Sequence, residues 1–125
     1  MKLEVGQFAR LKSGYIVKVL NVKDNWIETD TKFITRTFPK DFVKASYNII
    51  DILEVGDYAN GYYISKIWEK DEITHYVNET PIKRKEREIV IQAPSYGGIE
   101  ILKNKNIKSV ITHEQIEQME YNVKK

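Results

Sequence analysis

The sequence predicts a mainly β chain written as two tandem small β units, and three observations carry that expectation. Leu3-Glu4-Val5-Gly6-Gln7-Phe8-Ala9 returns nearly unchanged as Leu53-Glu54-Val55-Gly56-Asp57-Tyr58-Ala59. Gly14-Tyr15-Ile16-Val17-Lys18-Val19 is echoed by Gly61-Tyr62-Tyr63-Ile64-Ser65-Lys66-Ile67, and Ser46-Tyr47-Asn48-Ile49 by Glu120-Tyr121-Asn122-Val123. Self-similarity of this kind marks one structural unit used twice. Aromatic residues make up 11% of the chain, most of them tyrosine, a composition that favours strands.

The elements follow in order. Gln7 to Lys12 alternates side chains, and Ser13-Gly14 offers a tight turn into Tyr15–Val22, which predicts a β-hairpin. Lys23-Asp24-Asn25 is a second turn, after which Trp26-Ile27-Glu28-Thr29 resumes an extended pattern and completes a three-stranded meander. Phe38, Phe42 and Val43 then adopt helical spacing, with Pro39 suited to a first-turn position, so a short helix or 3₁₀ turn is expected there. Asn48–Leu53 reads as one more strand running into the second Glu-Val-Gly, a junction short enough to pack the two units together.

The second unit, residues 53–125, reopens with a hairpin whose Asn60-Gly61 turn is the most favourable two-residue loop. Gly6 and Tyr47 are 41 positions apart and Gly56 and Tyr121 are 65 apart, so about 24 extra residues lie inside this copy. They are assigned to an inserted β-hairpin at about 78–98, where Pro81 and a basic run lead to Ile89-Val90-Ile91-Gln92 and the turn Ser95-Tyr96-Gly97-Gly98. Ile99–Leu102, a polar turn at Lys103–Asn106 and Ile107–Ile111 read as another hairpin. Thr112-His113-Glu114-Gln115 fits a capping box opening a helix of about two turns, with Ile116 and Met119 on its apolar face. A strand at Tyr121-Asn122-Val123 closes the unit. Each unit thus runs strand, turn, strand, strand, helical turn, strand, an order that resembles the SH3-like small β-barrel. The first such barrel is expected over residues 1–52, and barrel topology alone does not say what is bound.

Composition narrows the function. Zero cysteines exclude a disulfide framework, a thiolate metal site and a cysteine nucleophile. No apolar run approaches the ~20 residues of a membrane helix, and the N-terminus lacks an apolar signal core, so a non-membrane protein is expected. Nine basic and six acidic residues precede Leu53, and eleven basic and twelve acidic follow from it. That mild excess falls short of a dedicated nucleic-acid binder, whose domain pI exceeds ~9.

No constellation carries catalysis. His75 and His113 are the only histidines and lie far apart in sequence, so no metal site is expected, and Asp71, Glu72 and His75 have no spacing that selects acid or base roles. There is no glycine-rich phosphate loop, so neither a cofactor nor an enzymatic activity is expected. The dense cationic feature is Lys83-Arg84-Lys85-Glu86-Arg87, in which Arg84 and Arg87 can hold an anion bidentately and Lys83 and Lys85 can steer it. The interleaved Glu86 and Glu88 equally fit a solvated strand edge that resists aggregation. Tyr62, Tyr63 and Trp68 sit in the second hairpin, where alternation sends Tyr62 and Ile64 to one face and Tyr63 to the other. An outward Tyr63 or Trp68 beside arginine suits a protein hot spot or a base-stacking platform, while core filling explains each residue taken singly.

The block Asn48–Tyr62 and the block Ile107–Tyr121, with the N-terminal Glu-Val-Gly hairpin, together resemble small proteins encoded by phages and prophages of low-GC Gram-positive bacteria. They cover about half of the chain, and Trp68–Ile99 lies outside them. The resemblance implies a protein made in the cytoplasm of an infected or lysogenic bacterial cell, and it brings no catalytic residues with it. The expectation is a non-enzymatic binding protein that counters host defence, by blocking an immune protein in the manner of an anti-CRISPR or by sequestering its nucleotide signal. A nucleic-acid-binding accessory protein and a virion assembly component are the alternatives, and unpaired strand edges allow a homo-oligomer.

Overall fold

The computed structural model describes residues 2–31, 37–93 and 98–119. Its strands form two antiparallel sheets. The first orders β1 (Phe8–Leu11), β2 (Ile16–Val22), β3 (Ile27–Thr29) and β4 (Phe42–Ser46) as β3-β2-β1-β4. The second orders β5 (Tyr58–Ala59), β6 (Tyr62–Val77), β7 (Thr80–Ala93), β8 (Gly98–Leu102) and β9 (Val110–Ile111) as β8-β7-β6-β5-β9. One helix, α1 (His113–Met119), follows β9. Among the described residues no helix is long and apolar enough to cross a membrane.

The mainly β expectation holds, as does the meander. The repeated stretch makes the same turn twice. Gly6 donates to Val19 and Gly56 to Ile64, Gln7 donates to the Glu4 carbonyl and Asp57 to that of Glu54, and both glycines stand at positive φ. Beyond that turn the halves diverge, and the described strands close no barrel: β3 and β4 end the first sheet, β8 and β9 the second. The two-residue strands β5 and β9 give too little ladder to wrap the second sheet onto itself.

Four expectations change in detail. Ile49–Ile52 is a 3₁₀ turn and not a strand, because the carbonyls of Ile50 and Asp51 are taken by Arg87 of β7 and that of Ile52 by Arg10 of β1 in place of a neighbouring strand. The extra chain of the second half is not confined to 78–98: β6 runs unbroken from Tyr62 and turns at Asn78-Glu79, both at positive φ, which matches the twist of a tight hairpin. The Lys83–Arg87 run therefore lies inside β7. Ile99–Leu102 and Val110–Ile111 do not pair with each other; β8 joins β7 and β9 joins β5, at opposite edges of the sheet. The Asn60 side chain holds β9 there by accepting from Lys108 and Ser109 and donating to the Asn106 carbonyl. The predicted turn residues Ser95, Tyr96 and Gly97 and the predicted strand Tyr121–Val123 lie outside the described residues.

Burial divides into two apolar clusters. Leu3, Ala9, Leu11, Val17, Val19, Ile27 and Phe42 fill the first half, and Ile50, Leu53, Ala59, Ile64, Ile89, Ile91 and Leu102 fill the second. Ile16 of β2 packs against the second cluster, and beside it polar contacts join the halves. The Thr112 hydroxyl donates to the Gly14 carbonyl at 2.8 Å and Gln118 Nε2 to that of Ser13 at 2.7 Å, seating α1 on the β1–β2 turn. The capping box of α1 forms as predicted, with Thr112 N donating to Gln115 Oε1 and Gln115 N to Thr112 Oγ1.

Candidate functional site

The sequence-predicted residues separate into an inner and an outer set. Tyr62 packs against the core beside Ile64. Tyr63 points the other way, 39% exposed, and meets Tyr58 edge-on at 5.7 Å between ring centres. Trp68 pairs across the sheet with Glu88, and Lys66 Nζ lies 5.6 Å from its ring, a cation–π distance.

Arg84 and Arg87 turn inward, toward the 3₁₀ turn at Ile49–Ile52. Arg84 Nε donates to Asp51 Oδ2 at 2.9 Å and its Nη2 to Oδ1, a two-pronged pair. Arg87 Nη1 donates to the carbonyls of Ile50 at 3.1 Å and Asp51 at 2.6 Å, and Nη2 to that of Leu53 at 3.2 Å. These donors are therefore committed to the 3₁₀ turn at Ile49–Ile52 and the residue after it, while Arg87 Nε is buried without a hydrogen-bond partner. Lys83 and Lys85, opposite Thr74 and Glu72, remain exposed. Asp71 and Glu72 lie at a bulge in β6, while His75 reaches Asn48, so the three share no site. Arg87→Ala is expected to cost about 2 kcal/mol by stripping three half-buried carbonyls of their donor, whereas Lys83→Ala and Lys85→Ala stay within about 0.5 kcal/mol. Urea denaturation of the three variants checks this, and it separates the anchoring arginines from the free lysines.

What periodicity could not assemble is the outer face of the second sheet. The register places Ile111, Tyr58 and Tyr63 side by side on three adjacent strands. On the same face, opposite the core residues Ile89 and Ile91, it places Val90 beside Ile101 and Gln92 beside Ile99. Ile99 is 68% exposed, and Ile101 and Ile111 are exposed as well. Exposed apolar side chains grouped on one sheet face, here interrupted by Gln92 and with Val90 itself buried, have the form of an interaction surface.

A second feature the sequence hid joins the two halves. Arg10 of β1 is fully buried. Its Nη1 donates to Asp57 Oδ2 at 2.6 Å and to the Ile52 carbonyl at 3.1 Å, and its Nη2 donates to Asp57 Oδ1 at 3.0 Å. Nη2 also meets Glu114 Oε1 at 2.6 Å, and Nε meets Glu114 Oε2 at 3.2 Å. Buried Asp57 in turn accepts from the backbone of Glu54 at 2.7 Å and of His113 at 2.9 Å. Around this pair His113 Nε2 lies 2.8 Å from Glu54 Oε1 and 2.6 Å from Glu114 Oε1, and Lys44 Nζ lies 2.9 Å from Glu54 Oε2.

The electrostatics follow from these contacts. Burial disfavours the charge on Glu54, but hydrogen bonds from His113 and Lys44 and the field of Arg10 outweigh it and hold the carboxyl at about 2. The hydrogen bond to Glu54 raises His113 above its ordinary value against a smaller opposing effect of burial. Burial also works against the charge on Arg10, yet its carboxylate partners keep the guanidinium firmly protonated. Compared with family models, with curated proteins and with solved structures, the chain matches none.

Proposed function

We propose that this chain is a non-enzymatic binding protein, made in the cytoplasm of a phage-infected or lysogenic bacterium, which occupies a host defence protein through the outer face of its second sheet. The observation that carries the reading is the row Ile111–Tyr58–Tyr63, exposed at Ile111 and Tyr63 and half-buried at Tyr58, with exposed Ile99 and Ile101 on the same face at the other edge of the sheet. Aromatic residues at the centre of an apolar face are the usual anchors of a protein interface. A protein partner is favoured over a nucleotide signal because Arg84 and Arg87, the candidate anion anchors, already bind Asp51 and backbone carbonyls. The repeated Glu-Val-Gly turn supports reading both halves as copies of one SH3-like frame, the second opened by its long hairpin.

Affinity capture from infected host lysate, with bound protein, nucleic acid and small molecules analysed separately, tests the proposal. The wild-type chain is expected to retain one host protein, and Tyr63→Glu to weaken that complex by about 100-fold, the scale of a hot-spot loss, with an unchanged thermal midpoint. Equal retention by Tyr63→Glu removes this face from consideration. A second reading, nucleic-acid binding, draws on Lys66 beside Trp68 and on the exposed Lys83 and Lys85. It requires retained nucleic acid whose binding falls steeply with salt. Recovery of the chain in purified particles favours virion assembly instead.

A further inference from the structure

We propose that Glu54, His113 and Glu114 form a binding site for one divalent transition metal ion of the zinc class, using one oxygen from each carboxylate and Nε2 of the imidazole, with water completing the shell. This inference is independent of the partner reading. The three donor atoms lie within 4.8 Å of one another, and Nε2 faces both carboxylates at hydrogen-bonding distance. Zinc at its usual ~2.1 Å from nitrogen and oxygen ligands separates tetrahedral neighbours by about 3.4 Å. The present separations of 2.8 and 2.6 Å need to open by about 0.6 to 0.8 Å. All three side chains are between a fifth and about a third exposed, so a water can reach the fourth position, while Arg10 and Lys44 hold the carboxylates and leave the adjustment mainly to the imidazole.

The surroundings supply what a metal site requires beyond its ligands. Asp57 holds the backbone of both Glu54 and His113, so one buried carboxylate fixes the two chain segments that bring the ligands together. Arg10 grips Glu114 and Lys44 grips the far oxygen of Glu54, while Glu117 Oε1 stands 3.6 Å from His113 Nδ1. Outer partners of this kind orient the ligands; a carboxylate beside Nδ1 also raises the basicity of the imidazole, whereas the cations on Glu54 and Glu114 fix those carboxylates in their charged form. The charges also balance. Asp57, Glu54, Glu114 and Glu117 bring four negative charges and Arg10 and Lys44 two positive, which leaves two negative charges beside a neutral imidazole. A divalent ion neutralises that remainder and a proton on His113 neutralises half of it. An imidazole nitrogen with two carboxylates selects zinc-like ions over magnesium or calcium, which take oxygen ligands.

Titration calorimetry of chelator-stripped full-length chain with zinc, and the visible absorption of added cobalt, test the site. One metal per chain, a raised thermal midpoint and a tetrahedral cobalt band are expected for the wild type. His113→Gln keeps a hydrogen-bonding partner for Glu54 but removes the ligand nitrogen. It is expected to fold and to lose more than about 100-fold in zinc affinity, beyond what loss of an outer partner alone costs. His75→Ala is expected to bind as the wild type does. No saturable uptake at millimolar zinc, or undiminished binding by His113→Gln, overturns the proposal, as does loss of binding in His75→Ala.

Discussion

Replacing Arg10 by alanine is expected to destabilise the chain by about 3–5 kcal/mol, the range for removing one member of a buried ion pair. That is a large share of the 5–15 kcal/mol by which domains are ordinarily stable, about as much as the whole of a marginal one. The loss has three parts. Asp57, fully buried, loses both guanidinium bonds, the Ile52 carbonyl loses its donor, and Glu114 in the first turn of α1 loses its guanidinium partner. Arg10→Lys keeps the charge but replaces a planar fork with a point donor that cannot span Asp57 and Glu114 together, so it recovers only part of the loss. Urea denaturation of both variants checks the order wild type, lysine, alanine. A loss below about 1 kcal/mol for the alanine variant would mean that Asp57 finds water or another cation when Arg10 is absent.

The same pair shows why the sequence was readable at some points and not at others. The Glu-Val-Gly turn is a local device, set by a glycine at positive φ and a side chain three residues after the glutamate, so its repetition in sequence translates directly into repetition in structure. Within that turn one substitution carried a message. Gln7 caps Glu4 N with a neutral amide, whereas Asp57 caps Glu54 N with a charge, and a buried charge requires a cation. The cation comes from residue 10, across the boundary between the halves, where an arginine in an alternating strand reads as solvent-facing. The segment Asn48–Leu53 misled for a similar reason: an apolar, β-branched run has strand propensity. Its backbone is nevertheless satisfied by Arg87, 34 to 37 residues away, and its Asp51 side chain by Arg84.

The candidate interface divides along the same line. Alternation in β6 was enough to put Tyr63 outside and Ile64 inside. It could not bring Ile111 or Ile99 beside Tyr63, because that depends on β9 crossing to pair with β5 and on β8 folding back along β7. The cationic run was visible, and its pairing was not. Four cations in five positions look alike until the hairpin twist presents Arg84 and Arg87 to the 3₁₀ turn and leaves Lys83 and Lys85 in solvent.

Gly14→Ala is the second large effect expected. Gly14 stands at a φ of +95°, where an L side chain carries about 1–2 kcal/mol of strain, and a Cβ there would collide with Thr112 Oγ1 and lie 2.6 Å from Glu114 Cβ. Neither neighbour is a flexible chain end: Thr112 is buried and bonded to Gly14's own carbonyl, and Glu114 is tied to Arg10. Relief requires lifting the first turn of α1 off the β1–β2 hairpin, so overpacking adds about 1–3 kcal/mol to the strain, for a total of roughly 3 kcal/mol or more. Gly61→Ala provides the comparison, since Gly61 has a similar φ of +85° but nothing within 4 Å of the added carbon. It is expected to show the backbone strain alone. The difference between the two variants in urea denaturation therefore measures the seating of α1 on the first half. Hydrogen exchange should show faster opening of Ile116 N, which donates to the Thr112 carbonyl, only in Gly14→Ala. Equal losses in both variants would mean that α1 rides freely on the hairpin. In that case Arg10, which reaches Glu114 from the strand just before this turn, would be holding the two halves together through Asp57 and the Ile52 carbonyl alone.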